Sequence, residues 1–465
     1  MAPLTRGRSH FAGLLLAIVV VALGVRVSYV AIAKAGPCHI RNQHGRVVAD
    51  QPTRCLQGDE LFYNAESNFI ANGHGFNQPY GVLFEPNAKH RPAADHPPLT
   101  VLVLAPVSWL SARPPMSWMI HEPLHDYARE DRYAMVVLGT ILVGLVGLLG
   151  RRVGGETVGL VAAGIAAITP NLWVNDGLVM SETVTGLVVV GALLCAFALW
   201  DRPTLRRAAA LGMLCGLCAL ARVELILFVV LLAIVVPATA RVARIDRGAL
   251  AVAAVSPALL VMAPWVAFNL ARFHDPAFIS TNDGITLAGA NCAATYSGVG
   301  IGLWTLGSCT GSLAQPGDES QQSTHYRKRG IEYIKLHKSR LPVVVLARVG
   351  RTWSLFRPAD MIAFNAGEDR ERWVTRLGLY AYYPTLVAAI GGAVALWRRR
   401  ARGALWVLSA PAIVVTVGAV ITYGQTRFRA AAEPSLALLA AVGIVAAVDW
   451  TRKRRRVVAP DALTP

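Results

Sequence analysis

Charge is what this 465-residue chain has least of: Asp, Glu, Lys and Arg together make up 16% of it, and only 28 of those residues are acidic against 45 basic. A soluble globular domain carries about a quarter of its residues as charges. Scarcity of this order, with 54% hydrophobic residues and a mean hydropathy of +0.45, excludes such a domain and points to a polytopic membrane protein. The formal net charge of +17 would suit a nucleic-acid partner only if the cations formed a face. They stand instead in short clusters between apolar runs, so no nucleic acid is expected. Cysteine is scarce too, at seven residues. Cys195, Cys215 and Cys218 lie in apolar runs with no His or acid at ligand spacing, so they read as packing residues. An inverted internal repeat is also missing, which counts against a secondary transporter or flippase, the alternative class with similar spans.

What the chain has in quantity is apolar runs. The segments 11–33, 133–150, 157–173, 182–200, 208–221, 224–240, 248–270, 377–397, 404–423 and 434–450 predict an all-α fold of about ten transmembrane helices. The first reads as a retained anchor rather than a cleaved signal, being longer than a typical h-region. Leu99–Leu110 is short for a span and reads as interfacial or re-entrant. Arginine clusters at 151–152, 202–207, 241–247, 398–402 and 452–456 all fall on one side of this topology, which places both termini in the cytoplasm of a multi-pass plasma-membrane protein. Three regions follow: residues 1–270 with the first outer loop 34–132, a long outer segment 271–376, and C-terminal spans with a basic tail, 377–465. Cys38 with Cys55 and Cys292 with Cys309 fall in the two outer polar segments, where loop-closing disulfides are expected.

The stretch 58–76, GDELFYNAESNFIANGHGF, is the part around which the rest is arranged. It predicts an amphipathic helix with an apolar stripe of Phe62, Ala65, Phe69 and Ile70, stopped by Asn72-Gly73. Asp59 and Glu60 stand at its start, where Asp59 could be an ordinary N-cap and Glu60 a first-turn acid favoured by the helix dipole. Ionisable groups at span edges are costly and collect on the same outer side: Glu182, Arg222, Glu224, Arg427 and Arg429. The short paired runs meeting at Arg222-Val223-Glu224 are where membrane proteins place broken helices around a site.

In order along the chain, Asp59-Glu60, His96-Pro97-Pro98-Leu99, Ser181-Glu182, Leu220-x-Arg222-x-Glu224 and Arg427-Phe428-Arg429 resemble the GT-C glycosyltransferases, and more narrowly the branch of protein O-mannosyltransferases and the lipid A aminoarabinose transferase. The resemblance implies an inverting glycosyltransferase that moves a sugar from a polyprenyl-phosphate-linked donor to a glycan, glycolipid or protein acceptor on the outer membrane face. His96 stands where the aminoarabinose transferase has a lysine, with Lys89 and Arg91 nearby to compensate, and no sizeable outer domain follows the last span. Within this reading Asp59 is the expected base, its pKa raised by burial and by Glu60. Glu182 is a second acid or a holder of arginine. His96, Arg222 and Arg427 contact the phosphate. No cofactor or metal is expected, although Asp59, Glu60 and Glu182 could take one divalent cation.

Overall fold

A computed structural model of the chain describes residues 3–41, 47–53, 56–78, 91–111, 127–240, 246–311 and 316–458. Its long elements are α1 (Pro3–Ala33), α2 (Asp59–Ala71), α3 (Leu99–Leu110), α4 (Tyr127–Ile168), α5 (Ser181–Asp201), α6 (Leu205–Ala221), α7 (Arg247–Arg272), α8 (Glu319–Leu336), α9 (Leu341–Thr352), α10 (Arg372–Arg398), α11 (Arg402–Ile421) and α12 (Glu433–Val458). A hairpin of β1 (Ala35–Arg41) and β2 (Val47–Thr53) is the one sheet among the described residues, where the sequence led us to expect only a polar loop.

All ten expected spans are helical, but only seven helices among the described residues have the length and apolarity to cross a membrane. The difference has two sources. The 42 residues of α4 contain Gly155 at φ 85°, ψ −177°, a conformation that breaks the helix and that a side chain would oppose. Beyond it the chain doubles back, so that a Cβ on Gly150 would stand 2.9 Å from the Cα of Gly159; one helix thus supplies two of the ten segments. The other two, α6 and 223–239, are short, the latter joining a 3-10 turn, a π-type turn and a five-residue helix. α6 is pressed onto α7, where a Cβ on Gly212 would meet the Ala254 carbonyl at 1.8 Å. The main core lies between these helices, with Val143, Val190, Leu193, Leu211, Leu408 and Leu438 fully or almost fully buried.

Arg26 interrupts the apolar run of α1 and is completely buried. Its Nε donates to Asp176 Oδ2 at 2.6 Å and its Nη1 to the carbonyls of Ala22 and Ala167, so α1 is fixed to the turn ahead of α5. One residue past α1, Lys34 reaches Asp369 and Glu371, each at 2.9 Å.

Cys292 and Cys309 form the expected disulfide. Cys55 and the side chain of Cys38 lie outside the described residues. A link across 17 residues stabilises by about 3 kcal/mol through the unfolded chain. Cys292→Ser is therefore expected to lower unfolding stability by about that amount, read by thermal denaturation in detergent; an unchanged midpoint would count against it.

Candidate functional site

α2 begins where it does because Gly58, at φ 57°, turns the chain into it without a side-chain cap. Asp59 is therefore the first helical residue and not the N-cap. The expected apolar stripe is inside, with Phe62, Ala65 and Phe69 at most 2% exposed. The helix is more than amphipathic, however: Glu60, Asn64, Glu66, Ser67 and Asn68 are buried as well. It packs on α3, α4 and the residues ahead of α5.

That burial sends the two adjacent acids in different directions. Asp59 stays partly open and its Oδ2 accepts from Arg427 Nη2 at 2.6 Å, while His96 Nε2 lies 3.6 Å from Oδ1. Glu60 is fully buried; its Oε1 accepts from the Val179 N–H at 2.9 Å and its Oε2 from the Gln57 N–H at 3.3 Å, with Arg132 Nη2 at 3.8 Å. Burial opposes ionisation of Asp59, yet Arg427 and His96 outweigh it and hold its carboxyl well below the usual range, the reverse of the elevation expected from the sequence. Glu60 is pushed up by burial despite Arg132.

Around Asp59 the structure gathers residues from five places in the chain. Glu182, in the first turn of α5, accepts from Arg370 Nη2 at 3.2 Å and has Arg427 Nε at 3.8 Å and Arg222 Nη1 at 3.9 Å. Arg222 and Glu224 pair at 2.7 Å in the break between α6 and the next segment. His96 stacks on Tyr63 with 5.0 Å between ring centroids, and burial lowers its pKa less than Asp95 and Asp59 raise it, so it stands above its ordinary value. The segment carrying His96 is clamped by the region after α7: Thr281 N–H donates to the Ala94 carbonyl at 2.8 Å, and Glu319 accepts from the Ala94 N–H at 2.8 Å.

Two expected members stand elsewhere. Arg429 turns away, donating to Glu433 at 2.6 Å and lying 3.6 Å over the Tyr382 ring; Arg91 is exposed. Lys89 lies outside the described residues. The sequence reading missed the loop 367–371, whose charges bind the whole arrangement. Glu368 meets Arg427 Nη1 and Arg370 Nη1, each at 3.0 Å, and Asp369, fully buried at φ 57°, meets Lys34 and, at 3.4 Å, Arg132. Its signal was the unbroken charged run 368–372 directly ahead of α10.

Among the described residues no group of three or more His, Cys, Asp or Glu is arranged to hold a metal. Each acid that could have served already faces a cation, Asp59 with Arg427, Glu182 with Arg370 and Glu60 with Arg132, so a divalent ion does not fit this donor set. The Nε–H of Arg427, by contrast, is buried and has no hydrogen-bond partner among the described residues. The ensemble can hold an anion on Arg427 and Arg222 beside a carboxylate.

No protein-family model and no curated protein matches the chain. Solved structures do. The archaeal oligosaccharyltransferase AglB from Archaeoglobus fulgidus, in complex with an inhibitory peptide and a dolichol-phosphate, aligns at a TM-score of 0.53 and 14% identity, over 97% of this chain and 52% of that one. The Archaeoglobus fulgidus oligosaccharyltransferase with Zn and sulfate aligns at a TM-score of 0.54 and 15% identity, over 95% and 50%. The chain thus spans about half the length of these neighbours. The likeness shows the fold alone, that of an all-α polytopic membrane protein.

Proposed function

We propose that the chain is a glycosyltransferase that moves a sugar from a polyprenyl-phosphate-linked donor to a hydroxyl-bearing acceptor, with inversion, in the manner of the protein O-mannosyltransferase and aminoarabinose transferase branch. The observation that carries this reading is the pairing of Asp59 with Arg427, whose buried Nε–H, among the described residues, makes no hydrogen bond and has only the Glu182 carboxylate near it, at 3.8 Å. The donor phosphate engages Arg427 and Arg222, with His96 as a third positive group. The acceptor oxygen then attacks the anomeric carbon as the bond from that carbon to the phosphate oxygen breaks. The acceptor proton passes to Asp59, and the polyprenyl phosphate leaves with the electron pair. Asp59 is a weak base while Arg427 and His96 face it; sharing those cations with the phosphate raises its proton affinity when it is needed. The site faces the outer side of the membrane in this reading, since the arginine clusters mark the opposite helix ends.

The purified protein in liposomes, given a radiolabelled polyprenyl-phosphate sugar with glycan, glycolipid and protein acceptors in separate arms, should cleave the sugar–phosphate bond. Counterflow of intact substrate without cleavage would instead favour the transporter class.

His96 provides a pH test. Its folded pKa is raised, so its favourable charge is fully present below the ordinary value of about 6.5 and is lost as pH rises through the folded value. Donor affinity is expected to weaken as pH rises above the ordinary histidine value and through the raised folded one, and His96→Lys, with an ordinary pKa of about 10, should remove that weakening. Identical pH profiles of binding for the two proteins would exclude His96 from the phosphate.

A further inference from the structure

One helix in the region between α7 and α10 buries two arginines beside Val344 and Ala347 and turns other apolar residues outward. α9 buries Arg348 and Arg351 and leaves Leu346 72% exposed, and the turn after it leaves Leu355 68% exposed. The two arginines are spent on main-chain carbonyls, Arg348 on Ala290 at 2.7 Å and Arg351 on Ile301 and Val299, each at 2.6 Å. Val343 and Phe356 extend the exposed strip, and Leu336 at the end of α8 precedes it. At 12 residues α9 is about 18 Å long, too short to cross a membrane. A contiguous apolar strip of this kind requires a cover.

The level of the strip relative to the spanning helices is fixed by two hydrogen bonds. Trp353 Nε1 donates to Thr416 Oγ1 at 3.1 Å, and Thr416 lies about 7 Å inside the end of α11 at Ile421. The Tyr383 hydroxyl donates to the Ser354 carbonyl at 2.8 Å, and Tyr383 lies about 16 Å along α10 from Arg372. The turn after α9 thus runs beside the interior of two helices whose own flanks are open and apolar, Ile421 at 60% and Val387 at 70% exposure. Exposed cations border it before α9, Lys335, Lys338 and Arg340, the last also donating to the Tyr296 carbonyl at 3.0 Å; after the turn Arg357 is paired with Asp360 at 2.5 Å.

We propose that α9 and the turn 353–357 are seated in the boundary between headgroups and acyl chains of the membrane, with Leu346, Leu355 and Phe356 among the chains and Lys335, Lys338 and Arg340 on anionic lipid phosphates. Amphipathic helices with cationic borders bind bilayers in this way. The seat is joined to the candidate site, because Arg429 donates to the Thr352 carbonyl at 3.2 Å and to Ser354 Oγ at 3.0 Å, two residues from Arg427. The bilayer surface is thereby part of the support that holds the turn Thr426–Ala431 in place. This inference does not rest on the proposed transferase activity.

Nitroxide labels at Leu346→Cys and at Leu355→Cys, each in a full chain with Cys195, Cys215 and Cys218 changed to Ala, test it in liposomes containing phosphatidylglycerol. Both labels should collide more with oxygen than with a water-soluble nickel chelate, whereas a label at the exposed Glu332→Cys should show the opposite preference. Preference for the chelate at 346 and 355 would overturn the proposal. So would protection from both reagents, which would indicate a protein partner or a second copy on this face. Replacing phosphatidylglycerol with phosphatidylcholine should move both labels toward water, and unchanged depth would remove the cations from the lipid contact. A Val343→Cys label provides a third reading where either variant fails to melt like its parent in detergent.

Discussion

Asp59→Asn is expected to lower sugar transfer by about 10²–10⁴-fold, the usual worth of a positioned base, with the thermal midpoint in detergent close to that of the parent. The geometry separates the two effects. Gly58, not Asp59, occupies the N-cap, so the exchange removes no cap, and an Asn oxygen can still accept from Arg427. Arg427 also retains Glu368 at 3.0 Å and Glu182 at 3.8 Å. Donor binding should survive, because one of the carboxylates competing with the phosphate for Arg427 has gone. Transfer at near-parental rates would mean that the proton goes to another group, with Glu182 next to be tested; collapse of folding would assign Asp59 to the scaffold alone.

Glu60→Ala should do the opposite. With no exposed surface, Glu60 accepts two backbone N–H bonds and faces Arg132, so truncation leaves a buried cation short of one partner and the Val179 N–H without its acceptor. Breaking a buried pair in this way costs about 3–5 kcal/mol. The variant is expected to lose that much unfolding stability, visible as reduced yield and a lower melting temperature, and a well-folded, inactive Glu60→Ala protein would contradict the division of labour between the two acids.

Much of this architecture was legible in the sequence because hydrophobic length is a one-dimensional signal. The spans, the helix 59–71 with its stop at Asn72-Gly73, and the gathering of Asp59, Glu182, Arg222, Glu224 and Arg427 follow from runs of apolar residues and the charges at their edges, while His96 was reached only through the family resemblance. Direction was not legible. Neighbouring residues on a helix point about 100° apart, so Asp59 and Glu60 look alike in sequence and differ completely in surroundings. Arg429, two residues from Arg427, likewise went to Glu433 and the Tyr382 ring. The loop 367–371 escaped because its importance comes from partners far away in sequence, and a charged run ahead of a span reads locally as a solvated face. The hairpin β1–β2 escaped because its strands, AGPCHIR and VVADQPT, carry no alternation of apolar and polar residues and each contains a proline.

The buried ion pairs of α1 also have a bearing on the order in which the protein is made. Arg26 enters the bilayer on α1, yet its acceptor Asp176 is 150 residues downstream, and Asp369, one of the two acids that hold Lys34, is 335 residues downstream of Lys34. An arginine at the centre of an inserting helix costs about 2.5–3.5 kcal/mol until it is paired. α1 thus depends on segments made after it: Arg26 gains its acid only with the turn ahead of α5. Its C-terminal end at Lys34 is paired only once the loop before α10 has been made.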